Sequence, residues 1–233
     1  MKRKILLLGA SNTFGVVDAS AGPAKGYKDH LQDMLGYRWN VVTRGAPGCR
    51  SQDWLPNAPI YVPGVGGFAT ASGESNSPET EVPIKVKLFT DYFIPNLPAD
   101  LVVLQCAFIN EATRFIMGTE AAPTPRDVFG RNVRDIVSAL LEKGVTVMVP
   151  IDFPAMCDIQ NVLDGYEEEI RIIWELHREN PHFVRGPDLR NSLNLEHGTD
   201  FDKDFFHPNN LGHMHAACLF AQKILAWEAT QNE

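Results

Sequence analysis

Short apolar runs alternate along this chain with segments of helical period. Runs of strand length fall at Lys4 to Gly9, Arg38 to Thr43, Asp100 to Cys106, Val145 to Pro150 and, more briefly, His182 to Val184. The best-defined helical segment is Pro125 to Lys143. Thr124, Pro125 and Asp127 make its start, Phe129, Val133, Ile136, Val137 and Leu140 form one apolar stripe, and Gly144 stops it. Leu163, Ile170, Ile173 and Trp174 mark another helix. A last one is expected from near Pro208 to about Trp227, with Leu211, Cys218 and Leu219 turned inward. Such alternation predicts an α/β fold, a doubly wound five-stranded parallel sheet with helices on both faces.

One segment breaks the pattern. Tyr61 to Pro83 (YVPGVGGFATASGESNSPETEVP) is rich in Gly, Ser and Pro, has no usable period, and reads as a long loop inserted in a single domain spanning 1–233. Because it follows the second strand it should leave the carboxyl edge of the sheet, where open α/β folds bind ligands. A substrate lid and a solvated insertion are both open readings. At the start, MKRKILLLGAS has an apolar run from Ile5 to Leu8, shorter than the roughly 7–15 residues of a signal-peptide core. It is read as a buried strand. No stretch reaches the roughly 18 consecutive apolar residues of a membrane span, so a soluble, cytoplasmic protein is expected.

With 44% hydrophobic residues in 233, the chain can bury a core of ordinary size. Its 21 Lys and Arg against 29 Asp and Glu give a net charge of −8, which argues against nucleic acid and against anionic membrane surfaces as partners. Cys49, Cys106, Cys157 and Cys218 lie far apart without a CxxC pair, so neither a zinc knuckle nor a disulfide framework is readable. Cys106 and Cys218 read as core positions.

The residues with chemical potential gather after the predicted strands. Ser11, in Gly9-Ala10-Ser11-Asn12-Thr13, sits at the carboxyl end of the first strand among small neighbours that allow close backbone approach. A serine nucleophile needs a base within hydrogen-bond reach, usually a histidine oriented by a carboxylate. Alone, the segment is equally an ordinary turn or a phosphate-cradling loop. Asp204-Phe205-Phe206-His207-Pro208-Asn209-Asn210-Leu211-Gly212-His213 offers an acid and a base before the last helix. With 7 His and 29 acids, an acid three positions ahead of a histidine arises about once by chance, and Glu179 with His182 is a second instance. Context separates the two, since His182 opens a strand whereas His207 is presented by a loop. Gly48, in Thr43-Arg44-Gly45-Ala46-Pro47-Gly48-Cys49, and Asn110, followed by Glu111, lie after the second and third strands. A tetrahedral oxyanion needs about two or three fixed donors, which a glycine-turn N–H and an Asn amide would supply.

These blocks resemble the SGNH hydrolases, the GDSL-like esterases and lipases. Ser11 in GASNT matches the nucleophile block, Gly48 in RGAPGC the second, Asn110 in FINEA the third, and Asp204 with His207 in DFFHPNNLGH the fifth. The likeness runs from Lys4 to Ala217 and is nearest in pattern to the arylesterase and acetylesterase branch. Ala10 stands where the GDSL form has Asp, Phe108 where the third block has Gly, and Glu111 where it has Asp. The resemblance implies a flavodoxin-like α/β/α sandwich and a carboxylic-ester hydrolase without cofactor or metal. It further implies Ser11, Asp204 and His207 as triad, and Ser11, Gly48 and Asn110 as oxyanion hole.

A histidine base predicts activity that falls on acidification, ordinary imidazoles titrating near about pH 6.5. Phe108, Phe115 and Arg50 are expected at the substrate, with Trp54, Tyr61 and Phe68 facing the same sheet edge. Arg44 and Arg50 would suit a carboxylate or simply solvent. His213 and His215 form an HxH whose members point to different helix faces, a poor metal site. Cys49 could be a rival nucleophile, but without a Cys-His signature it reads as a pocket-wall or incidental thiol. The expected partner is a small, neutral ester; a homo-oligomer is left open. Two other readings stand: an inactive scaffold of this fold serving as a binding module, and a flavodoxin-like flavin or nucleotide binder.

Overall fold

The computed structural model describes residues 2–15, 25–61, 86–106, 110–111, 124–154, 160–196, 199–201 and 207–231. Strands β1 (Arg3–Gly9), β2 (Trp39–Gly45), β3 (Leu101–Gln105), β4 (Thr146–Ile151) and β5 (Phe183–Asp188) form one parallel sheet ordered β2-β1-β3-β4-β5. Residues alternate between faces along each strand, so successive apolar residues bury both sides at once. Leu6 and Leu8 of β1 join Val102, Leu104, Val147 and Val149 on one face, under helices α3 (Arg126–Leu141) and α4 (Gln160–Glu179). Ile5 and Leu7 join Leu101, Val103 and Met148 on the other, under α2 (Tyr27–Leu35) and α6 (Asn210–Thr230). Each such side chain taken from water contributes about 1.5–3 kcal/mol before entropy is subtracted. Two single-turn helices, α1 (Ser11–Phe14) and α5 (Leu189–Ser192), follow β1 and β5 directly.

The predicted stripe of α3 is the buried one, although the helix starts at Arg126, with Pro125 as its cap, and ends at Leu141. Strand β5 runs to Asp188, well beyond the expected Val184. Its second half, Arg185-Gly186-Pro187-Asp188, is polar and broken by proline, as an edge strand tolerates, and the β4–β5 register shifts there. The inward face of α6 also differs from expectation. Leu211 is 40% exposed, and the helix buries His213, Ala216, Ala217, Phe220 and Ile224 instead. Small alanines let α6 approach the sheet closely, and a helix apolar around most of its girth gives no clear direction from hydropathy alone. Cys218 is only partly buried, and Leu219 packs at the margin of the core.

No helix among the described residues is long and apolar enough to cross a membrane. Of the loop 61–83, only Tyr61 is described. It bridges Val86 across the neck of that loop and donates its hydroxyl to the Pro47 carbonyl.

Candidate active site

The sheet order places β1 between β2 and β3, so the chain leaves β1 at the point where successive connections diverge to opposite sides. Open α/β sheets form their ligand crevices there. Ser11 is the first residue of α1 at that point. A Cβ on Gly9 would lie 2.3 Å from Thr13 Oγ1 and 2.8 Å from the Gln105 carbonyl, so only glycine lets α1 fold back onto the strand ends. His207 arrives from the far end of the sequence, and its Nε2 stands 3.0 Å from Ser11 Oγ. The ring is largely buried, with 8% of the residue exposed.

Pro208 and Asn209, which follow His207, each have a structural task. Pro208 bridges Phe201. Asn209 caps α6, its Oδ1 accepting the Gly212 N–H at 3.0 Å and its Nδ2 donating to the Thr199 carbonyl at 2.8 Å. The Asn209 N–H donates to the Asp200 carbonyl at 2.8 Å, and the Asp200 carboxylate accepts the Asn194 N–H at 2.7 Å. The histidine loop is thus tied to the first turn of α6.

The second and third blocks meet by the end of β1, where the Ala46 N–H donates to the Gly9 carbonyl at 2.8 Å. Ala46-Pro47-Gly48-Cys49 is a turn with proline second and glycine third at φ 77°, closed by the Cys49 N–H on the Ala46 carbonyl at 3.0 Å. That is the layout of a type II turn, which needs φ > 0 at its third residue. Asn110 Nδ2 donates to the Cys49 carbonyl at 2.8 Å, bringing its amide alongside Gly48. Glu111 is buried beneath; its Oε1 accepts the Ser51 N–H at 2.6 Å, and Ser51 Oγ accepts Asn132 Nδ2 at 2.9 Å. Burial raises the Glu111 carboxyl above the usual carboxylate range.

No protein-family profile matches the chain, and no protein of curated function matches it in sequence. Solved structures do. An aryl esterase of M. smegmatis superposes with TM-score 0.63 at 14% identity over 96% of this chain and 99% of that one. A carbohydrate acetylesterase family member from Sinorhizobium meliloti gives 0.60 at 14% over 97% and 98%. A lipolytic protein described as of the G-D-S-L family, from Desulfitobacterium hafniense DCB-2, gives 0.60 at 14% over 95% and 99%. The fold is that of the SGNH hydrolases.

Within this SGNH fold, the chain brings Ser11 to His207 and Asn110 to the turn that carries Gly48. Asp204, Phe108, Phe115 and Phe68 lie outside the described residues. Trp54 serves packing; it is 1% exposed in the core, its Nε1 donating to Cys49 Sγ at 3.2 Å. Tyr61 is likewise buried. The Cys49 thiol is enclosed, and burial, reinforced by Asp53, pushes it well above its ordinary range, which leaves it no thiolate character. Arg44 donates to its neighbour's Thr43 carbonyl at 2.8 Å; Arg50 is half-buried at the start of the Ser51–Trp54 turn. Of the HxH pair, His213 is buried against Tyr27 whereas His215 is half-exposed and meets Asp200, 2.6 Å from its Oδ1. The competing acid Glu179 pairs with Arg134 at 3.2 Å.

Sequence reasoning missed a buried polar chain beneath Ser11. Tyr27 Oη donates to Thr13 Oγ1 at 3.2 Å, Thr13 Oγ1 to Gln105 Oε1 at 2.7 Å, and Gln105 Nε2 to Asp152 Oδ1 at 2.7 Å. The Asp152 N–H donates to Glu169 Oε2 at 3.1 Å. A signal was present, since Glu169 falls on the same α4 stripe as Ile172, Ile173 and Leu176, all buried. Burial first, and Asp152 second, push the Glu169 carboxyl well above the usual range. The folded chain therefore keeps this proton where the unfolded chain has lost it. Stability from this group is complete on the acid side and declines as pH rises from the ordinary glutamate value through the folded one. Glu169→Gln removes that decline and keeps an acceptor for the Asp152 N–H. Its Tm gain over wild type is expected to grow from pH 5 to pH 8, by about 2–4 °C for each kcal/mol regained. Thermal melts giving the same difference at both pH values would contradict this.

Proposed function

We propose that this chain is a serine esterase that hydrolyses carboxylic esters of short acyl groups, acetyl esters of carbohydrates or small alcohols among them, through an acyl-enzyme on Ser11. The observation that carries the reading is the 3.0 Å contact between Ser11 Oγ and His207 Nε2, within the reach that proton transfer requires. His207 takes the hydroxyl proton as Ser11 Oγ attacks the ester carbonyl carbon. The imidazolium then protonates the departing alkoxide, and the alcohol leaves an acyl group on Ser11. Water, deprotonated by His207, attacks that acyl carbon; Ser11 recovers its proton and a carboxylic acid is released. Asp204 has the role of orienting His207 and stabilising its cationic form.

The oxyanion is held by the Ser11 N–H, the Gly48 N–H and Asn110 Nδ2. The first N–H groups of a helix have no partner within it. The Gly48 N–H takes no part in closing its turn, which uses the Cys49 N–H. The Asn110 amide has two N–H bonds and spends one on the Cys49 carbonyl. Asn110→Ala is expected to lower kcat about 100-fold with little change in KM, since the interaction matures only in the transition state. Steady-state kinetics on p-nitrophenyl acetate read that split.

The preference for short acyl groups is supported by the name of one similar fold, a carbohydrate acetylesterase family member. Phe108, Phe115 and Arg50 are proposed as substrate contacts. A panel of acyl esters of increasing chain length, with acetylated sugars included, tests the reading. Turnover highest for acetyl esters supports it, and ligand binding without turnover of any ester would replace it with the inactive-scaffold alternative.

A further inference from the structure

Ser11 and His207 lie 196 residues apart, and the sheet ladder positions Ser11 relative to β2 and β3 but not to α6, which bears the histidine loop. Something must set the distance between them. Tyr27, the first residue of α2 and fully buried, touches the supports of both. Its hydroxyl donates to Thr13 Oγ1 at 3.2 Å, two residues beyond Ser11. Its backbone N–H donates to His213 Nδ1 at 3.2 Å, six residues beyond His207. Its ring lies nearly parallel to the His213 imidazole, centroids 6.1 Å apart at 18°, and to Phe220 at 5.2 Å and 17°.

The directions of these bonds are fixed by proton inventory. Thr13 has one hydroxyl proton and gives it to Gln105 Oε1 at 2.7 Å, so the phenol must donate to Thr13. Burial raises the Tyr27 phenol far above its ordinary range, which keeps it a donor. His213 accepts at Nδ1, so its proton sits on Nε2 and the ring is neutral. Thr13 is held from a further side by Thr43 Oγ1, which donates to its carbonyl at 2.6 Å. The hydrogen-bonded path from the nucleophile turn to the histidine helix is therefore made of directed bonds between buried groups, with Tyr27 at the junction.

We propose that Tyr27 is a positioning residue of the esterase, holding the Ser11 turn through Thr13 and the His207-bearing helix through His213 at the separation proton transfer requires. The inference rests on the esterase reading above. Tyr27 touches neither substrate nor reacting atoms, and its effect is on where Ser11 Oγ meets His207 Nε2.

Tyr27→Phe removes the hydroxyl and keeps both ring contacts and the backbone N–H. It is expected to lower kcat about tenfold with KM unchanged, since small misplacement of reacting groups costs rate rather than affinity. Inactivation of Ser11 by a fluorophosphonate should slow by the same factor. Thr13→Val should behave alike, Thr13→Ser should retain most activity, and Tyr27→Phe with Thr13→Val should be no slower than Thr13→Val alone. A role confined to stability lowers Tm and leaves kcat of the folded enzyme unchanged. That result, or losses that multiply in the double variant, overturns the proposal. Should Thr13→Val fail to fold, Tyr27→Phe and Thr13→Ser decide the matter. An active wild type matched by Tyr27→Phe defeats this inference alone; a wild type that neither turns over esters nor takes up the label defeats the esterase reading and this one together.

Discussion

Replacing Ser11 with alanine is expected to lower turnover of p-nitrophenyl acetate by about 10⁴-fold or more, and to abolish covalent labelling by a fluorophosphonate. The size follows from what is lost. Without Oγ there is no acyl-enzyme, and the remaining oxyanion donors can only assist direct attack by water. The fold should tolerate the change. Ser11 is only partly buried, its hydroxyl meets His207 Nε2, and alanine suits a helical turn. The Cys49 thiol is a poor rival nucleophile, because burial holds it protonated and its sulfur accepts from Trp54 Nε1. Intact mass after labelling reads the outcome directly: one adduct on the wild type and none on Ser11→Ala. An alanine variant with full activity would sink the mechanism.

What the sequence reveals and what it hides follow different physics. The strands are legible because parallel strands covered on both faces read as continuous apolar runs, as Ile5 to Leu8 and Leu101 to Leu104 do. Helix α3 is legible because its stripe has polar residues between its apolar ones. The extent of helix α6 is legible but its inward face is not, because alanines and His213 share that face with Phe220 and Ile224, and hydropathy ranks them below the exposed Leu211. The histidine block is the most informative string for the same reason that it is rare. Pro208 bridges Phe201, Asn209 caps a helix, Gly212 supplies the capped N–H and His213 accepts from Tyr27. Least legible is the polar chain under Ser11. Its links join residues far apart in sequence, Thr13 to Gln105 and Gln105 to Asp152, so no local spacing announces them. Only a polar residue on an apolar stripe, Glu169, or at the end of an apolar run, Gln105, hints that such a chain exists.

His207→Ala is expected to cost as much as Ser11→Ala, because a nucleophile and its base act as one unit. For the same reason the double variant should be no slower than either single one. Alanine also leaves a space where the ring stood, beside Ser11 Oγ and largely shielded from solvent. Free imidazole in the buffer should therefore restore part of the activity in a saturable manner, with no such effect on Ser11→Ala. The pH profile gives an independent reading. In the wild type, acidification converts the base to imidazolium, which cannot accept the Ser11 proton, so activity falls toward low pH. In His207→Ala the titrating group is gone, and the residual rate should lose that dependence. The bridge between Phe201 and Pro208 and the Asn209 cap do not use the imidazole, so the variant should fold with its α6 intact. If His207→Ala kept the wild-type acid limb, the base would have to be another group, and the 3.0 Å contact would be a structural hydrogen bond rather than the path of the proton.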